Sequence, residues 1–174
     1  MDKAAEESFR GFVATRSGAL LRTAYLLVGE RHRAEDLLQT ALVKTFVHWS
    51  SIRDLGALEG YVRRIMATTA TSWWRGRPYR ERLVDRLPDR YPDGAADGPD
   101  ARLEQDAMWK HLRALPAKQR AVLVLRYYEG LAEAEIADVL GISRGSVKSH
   151  ASRGLTTLRR RFDAEHTEMK AVSS

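Results

Sequence analysis

Apolar residues recur every three or four positions over most of the chain, and this spacing predicts a succession of helices. Residues 4 to 15 and 18 to 28 read as two short helices. The second, within ALLRTAYLLVG, is nearly all apolar, ends at Gly29 and is therefore expected to be buried. From Arg31 to Trp49 a longer amphipathic helix puts Ala34, Leu37, Leu38, Ala41, Leu42, Phe46 and Trp49 on one face, with Glu35, Asp36, Gln39 and Lys44 on the rest. Ser50 to Gly56 breaks the period and reads as a loop. Ala57 to about Trp74 resumes a helix with Leu58, Tyr61, Val62, Ile65 and Met66 inward. After a Pro/Gly-rich stretch come a helix from Leu103 to Ala114, Pro116 at a first helical turn, and a helix carrying Val122, Leu123, Leu125 and Tyr128.

The stretch from Leu131 to Phe162 carries the sharpest local signals. Ile136, Ala137, Val139 and Leu140 form one face of a short helix over Glu133 to Leu140, which Gly141 stops. Ser143 is placed to cap the next helix, and Ile142 and Val147 stand at the two positions of a hydrophobic staple. Val147, Ala151, Leu155, Leu158 and Phe162 then make a single apolar stripe opposite a basic, hydroxylated face. Two short helices around a glycine turn, the second with a cationic outer face, describe a helix-turn-helix that enters the major groove. No acid lies between Asp138 and Asp163, so this run attracts phosphate whatever its sequence. Ala132 offers no side-chain oxygen to cap the first of the two helices, a local loss of about 1 kcal/mol.

Composition changes the picture in two ways. Pro78 to Arg102 holds Pro78, Pro88, Pro92 and Pro99 among glycines and acids, a composition that buries no core and reads as a flexible linker. Extended, it would reach up to ~80 Å, comparable with two turns of duplex at ~34 Å each. The net charge of +6 is concentrated at the two ends, around this slightly acidic middle, which points to two contacts with one polyanion. The apolar fraction of 44% is ordinary for a globular chain. The absence of cysteine excludes disulfides and thiolate metal sites. With no run long enough to span a bilayer, and no charged-then-apolar start, the expectation is a soluble cytoplasmic protein.

A second acid-free stretch runs from Gly60 to Arg80. Here Arg63, Arg64, Arg75, Arg77 and Arg80 are interleaved with Tyr61, Trp73, Trp74 and Tyr79. Cations mixed with flat rings suit single-stranded nucleic acid, because guanidinium neutralises phosphate while aromatic faces stack on bases. The competing reading is packing, since Trp and Tyr at helical spacing are more often core than surface.

The order AEDLLQTALVKTFVHW, a broken loop, YVRRIMATTATSWWRGR, a Pro-rich linker and LPAKQRAVLVLRYYEGLAEAEIADVLGISRGSVKSHASRGLTTLRR resembles a bacterial RNA polymerase sigma factor of the extracytoplasmic-function group. The resemblance covers roughly residues 5 to 162. It implies an all-α chain of two small helical domains on a flexible Pro/Gly/Asp-rich tether: sigma region 2 over 1–77, the linker over 78–102, and sigma region 4 over 103–162. A polar tail, 163–174, follows with no role assigned. Glu35, Asp36, Leu38, Gln39 and Leu42 resemble the surface that docks on the clamp coiled coil of core polymerase. Ser51 and Arg53 lie in a loop similar to one that captures a flipped base, and Tyr61, Arg64, Thr68, Ser72, Trp73 and Arg75 fall on the helix that reads and melts the −10 element. Lys148, Ser149, Ser152 and Arg153 stand where the family contacts the −35 duplex, with Arg144 and Ser146 nearer the backbone. Thr68 stands where the family often has Asn, Ser72 lies near the place of a usual Asp, and Trp73-Trp74 is not the usual filling. These departures bear on the −10 preference, not on the class, and resemble an actinobacterial-type subgroup.

The partners implied are core RNA polymerase, through its clamp coiled coil and flap, and promoter DNA, with an anti-sigma protein a further partner of many family members. Outside the holoenzyme a monomer is expected, with no membrane contact, cofactor or metal. The alternative is an autonomous helix-turn-helix regulator, which leaves the N-terminal half without a use and usually needs a dimer seam. An enzyme is not expected. His32, His48, His111, His150 and His166 have no metal-site spacing, and there is no phosphate-binding glycine loop or nucleophile elbow.

Overall fold

The computed structural model describes residues 2–76 and 107–173, with the backbone only for 74–76. The expected linker, 78–102, lies outside the described residues, as do the side chains of Trp74 and Arg75 and all of Arg77, Tyr79 and Arg80. The described residues are helical throughout, in line with the all-α expectation.

Helix α1 is one helix, Lys3–Val28, where two were expected. The suspected break at Thr15 to Gly18 does not interrupt it. Thr15 Oγ1 donates to the Gly11 carbonyl at 2.9 Å and Ser17 Oγ to the Val13 carbonyl at 2.6 Å, so both hydroxyls bond back into the helix. A single Gly18 costs only about 1 kcal/mol against alanine, which packing of the flanking turns offsets. Burial is confined to the second part of α1: Leu20, Thr23, Ala24, Leu26, Leu27 and Val28. Gly29 ends it in the left-handed region at φ 76°, its N–H bonded to the Tyr25 carbonyl at 2.7 Å.

Helix α2, Arg31–Val47, buries Ala34, Leu37, Leu38, Ala41 and Thr45. The inward face predicted for it holds except at Phe46, which is exposed; its ring meets Phe9 of α1 edge-on, and Phe9 also packs on the buried Trp49. Thr45 takes the inward place, with its hydroxyl bonded to the Ala41 carbonyl at 2.8 Å. The expected loop is two short 3-10 turns, Trp49–Ser51 and Leu55–Ala57, fixed by Ser51 Oγ on the His48 carbonyl and by Asp54 accepting from the Gly56 N–H. Helix α3, Leu58–Gly76, packs on both α1 and α2 through Leu58, Val62, Met66, Ala67 and Ala70.

In the C-terminal half, α4 is helical over residues 107–112, and α5, Ala117–Leu123, starts after Pro116. Helix α5 runs into a π-helical turn, Val124–Tyr128, in which the Glu129 N–H reaches the Val124 carbonyl five residues back. Leu125 stays inward while Tyr127 and Tyr128 turn out to solvent. Helix α6, Glu133–Leu140, and helix α7, Arg144–Val172, complete the fold. Helix α7 continues through nearly all of the tail. Phe162 packs its ring on His111, and Glu165 pairs with Lys110 at 3.3 Å, so α4 braces the extension.

The two halves touch. Arg120, almost fully buried in α5, donates from Nε to the Leu27 carbonyl at 3.2 Å and lies 4.9 Å above the Trp109 ring, which covers Gly29. Buried side chains from α1 to α7 form one continuous apolar core.

Candidate nucleic-acid interface

The two-helix unit at the C-terminus is built by local chemistry. Gly141 adopts φ 64°, closing α6 with its N–H on the Ala137 carbonyl. Ser143 Oγ accepts from the Ser146 N–H at 3.0 Å and so caps α7. Val147 and Ala151 are buried against Ile136 and Ala137 of α6, and Ile142 packs on the same core. Helix α6 has half of a capping box: Glu135 accepts from the Ala132 N–H at 2.7 Å, offsetting part of the loss at Ala132.

This packing turns Arg144, Lys148, Ser149, Ser152 and Arg153 outward, all exposed on one face of α7. Ser146 is half-buried and hydrogen-bonded to Ser143, which makes it part of the cap. Lys148 Nζ stands 3.9 Å from Glu133, which also accepts from Arg126 at 3.3 Å. Gly154, which the sequence did not single out, lets α5 come close, since a Cβ there would lie 2.8 Å from Leu123 Cδ1.

His150 is half-buried at the edge of this face. Burial lowers its pKa from the ordinary value, and the positive charges of Lys118 and Arg153 lower it further. The unfolded chain therefore takes up this proton at higher pH than the folded one, and the sign follows: stability from this site is intact above about pH 6.5 and declines as pH falls below it. Thermal unfolding between pH 7.5 and 5.5 should show a shallower acid loss in His150→Gln than in the parent chain; parallel curves would remove His150 from the balance.

On α3, Arg64, Thr68 and Ser72 are exposed at four-residue spacing, with Tyr61 half-buried beside them. Arg64 Nη2 donates to the backbone carbonyl of Asp138 in α6 at 3.0 Å. Ser51 and Arg53 are exposed in the loop leading into this helix. Trp73 packs against the core, with the Arg33 guanidinium 5.9 Å over its ring, so its indole is largely engaged within the protein. The backbone of Arg75 continues the helix, and its side chain is outside the described residues.

On α2, Asp36 and Gln39 are exposed, and Glu35 is half-buried with Arg31 Nε at 3.0 Å. Leu42 packs on the core and Leu38 is 7% exposed, so both support this face from beneath. Val43 and Val47, both exposed, continue the row begun by Asp36 and Gln39. Their signal was present as two apolar residues off the inward stripe.

Among the described residues there is no cluster of three or more His, Cys, Asp or Glu able to hold a metal, and no helix long and apolar enough to cross a membrane.

The Sigma-70 region 2 family matches residues 12–78, and the Sigma-70, region 4 family matches residues 105–158. The chain is 39% identical over 164 residues to an RNA polymerase sigma-E factor of Streptomyces avermitilis, covering 94% of this chain and 90% of that one. It is 34% identical to the ECF RNA polymerase sigma factor SigE of Mycolicibacterium smegmatis, covering 99% of this chain and 68% of that one. Among solved structures, the sigma factor RpoE of Bartonella quintana, crystallised with the anti-sigma factor NepR, superposes with a TM-score of 0.66 at 24% identity, covering 90% of this chain and 98% of that one.

Proposed function

Because the chain belongs to the extracytoplasmic-function sigma factors, which direct RNA polymerase to promoters and are not enzymes, we propose a division of that task among its three surfaces. Residues 1–77 act as region 2, 103–162 as region 4, and 78–102 as the tether between them. The exposed face of α7 reads the −35 duplex: Lys148 and Arg153 present donors to base edges, Ser149 and Ser152 add hydroxyls, and Arg144 meets phosphate next to the cap that holds Ser146. Arg64, Thr68 and Ser72, with Tyr61 beside them, Ser51 and Arg53 in the preceding loop and Arg75 further along the helix, engage the −10 element as it opens, and Trp73 backs that face from the core. Unstacking a base costs a few kcal/mol, and a prepared surface recovers that cost. Asp36 and Gln39, flanked by Glu35 and extended by Val43 and Val47, dock on a coiled coil of core polymerase. An exposed apolar row with a polar start suits the outer surface of such a partner.

The observation that carries this reading is the outward basic face of α7, free of acids from its cap to Asp163 and set on a capped turn. The work takes place in the cytoplasm, on a chain that is monomeric until it joins the polymerase. An anti-sigma protein, the partner of the Bartonella relative, is a further partner class for it.

Purified core polymerase, with and without this protein, on a candidate promoter is the decisive comparison: initiation should depend on the protein. Tight duplex binding by the protein alone, with no added initiation, would instead mark an autonomous regulator. Asp36→Ala and Gln39→Ala should each weaken polymerase binding by about 1 kcal/mol, near fivefold, with an unchanged circular dichroism spectrum. Unaltered affinity in both would move the docking surface elsewhere.

A further inference from the structure

The side chain of Glu129 is only 4% exposed, a burial that carboxylates take when they are paired. It follows the π turn and reaches out of its own half. It accepts a hydrogen bond from Thr23 Oγ1 of α1 and forms an ion pair with Arg63 Nε of α3. Arg63 is also hydrogen-bonded through Nη2 to Glu59, and Glu59 stands 3.6 Å from Arg16. The adjacent Arg64 crosses to the other half as well, onto the Asp138 carbonyl. Two neighbouring arginines of α3 are thus each held by an acceptor of the C-terminal half, Arg63 by Glu129 in addition to Glu59 of its own helix and Arg64 by the Asp138 carbonyl.

A carboxylate and a phosphate compete for the same guanidinium donors, both accepting paired charge-assisted hydrogen bonds. We infer that the contact between the halves is self-masking: Glu129 is a built-in anion that occupies Arg63, and the Asp138 carbonyl occupies Arg64, until a nucleic-acid strand displaces them. The inference rests on the reading of α3 as a strand-binding helix. It adds that the free protein is closed and binds single strands weakly, and that a strand on α3 releases α6 and α7. Reciprocity then requires that whatever pulls α6 and α7 away raises the affinity of α3 for the strand.

Fluorescence anisotropy of a labelled single-stranded oligonucleotide with the full chain tests this. Glu129→Gln keeps the shape and removes the charge, and Asp163→Asn, on an exposed stretch of α7, controls for net charge alone. Glu129→Gln should bind about tenfold tighter than the parent, the equivalent of one hydrogen bond to a charged group. Hydrogen exchange should quicken at amides 61–70 and 129–138, while the control variant stays near the parent in both measurements. Tightening by Glu129→Gln no greater than that of Asp163→Asn overturns the inference. Should Glu129→Gln fail to fold by circular dichroism, Thr23→Val loosens the same carboxylate from the other side; a gain in affinity supports the masking and an unchanged affinity overturns it. Failure of the underlying reading looks different: no variant, free or in holoenzyme, binds the strand, and that result removes the inference too.

Discussion

Gly29→Ala should lower the unfolding free energy by about 2–4 kcal/mol and detach the halves at their apolar joint. Two costs add at this position. Its φ of 76° is one that alanine adopts only with strain, and an added Cβ would overlap the indole of Trp109. That ring cannot move cheaply. It is a rigid bicycle held between the Arg120 guanidinium at 4.9 Å and Tyr25 at 6.4 Å. Urea unfolding followed by tryptophan fluorescence measures the loss. Gly145→Ala is the matched control: at helical φ, with only Ser143 Oγ nearby at 3.8 Å, it should be neutral or slightly stabilising. Equal stability in the two variants would mean that Trp109 does not seal Gly29 in solution.

Lys148→Ala and Arg153→Ala should each remove about 1–3 kcal/mol of upstream-element discrimination, a fivefold or greater fall in the preference of the holoenzyme for an intact over a scrambled −35 sequence. The readout must be this ratio, because a lost phosphate contact weakens both templates alike. Arg144→Ala supplies that contrast. It should lower affinity for the two templates equally and reduce the slope of log affinity against log salt by about 0.9. Full activity of Lys148→Ala and Arg153→Ala at every promoter would displace the reading surface from α7. The effect on Lys148 is expected to be the smaller of the two, since Glu133 at 3.9 Å already draws part of its charge.

What the sequence disclosed was what short-range chemistry determines. Gly141, Ile142, Ser143 and Val147 lie within seven residues: Gly141 and Ser143 close and cap as their spacing implied, and Ile142 and Val147 both pack into the core. The exposed residues of the α7 face followed from the stripe on its opposite side. The break expected in α1 failed because hydroxyls at Thr15 and Ser17 can bond backward as readily as they can end a helix. Phe46 fits an inward period but is exposed, while Thr45 is inward although it is polar. The extension of α7 could not be seen from polar residues alone, because His111 and Lys110, some fifty residues earlier, brace it. The contacts that join the halves were invisible for the same reason. Thr23, Arg63 and Glu129 are ordinary residues in three separate helical stretches, and only the folded chain brings them to one point.

The π turn at Val124–Tyr128 carries one residue beyond an ordinary helical turn. Deleting one residue there would let the regular ladder close without the ~100° swing that a deletion in an uninterrupted helix imposes on everything after it. The glycine bend and its cap would survive, being local, and would keep nearly the same direction relative to α1 and α3. A loss of three nucleotides from the coding sequence is therefore absorbed within this turn, whereas the same loss in the regular turns of α5 before it redirects the reader without blunting it.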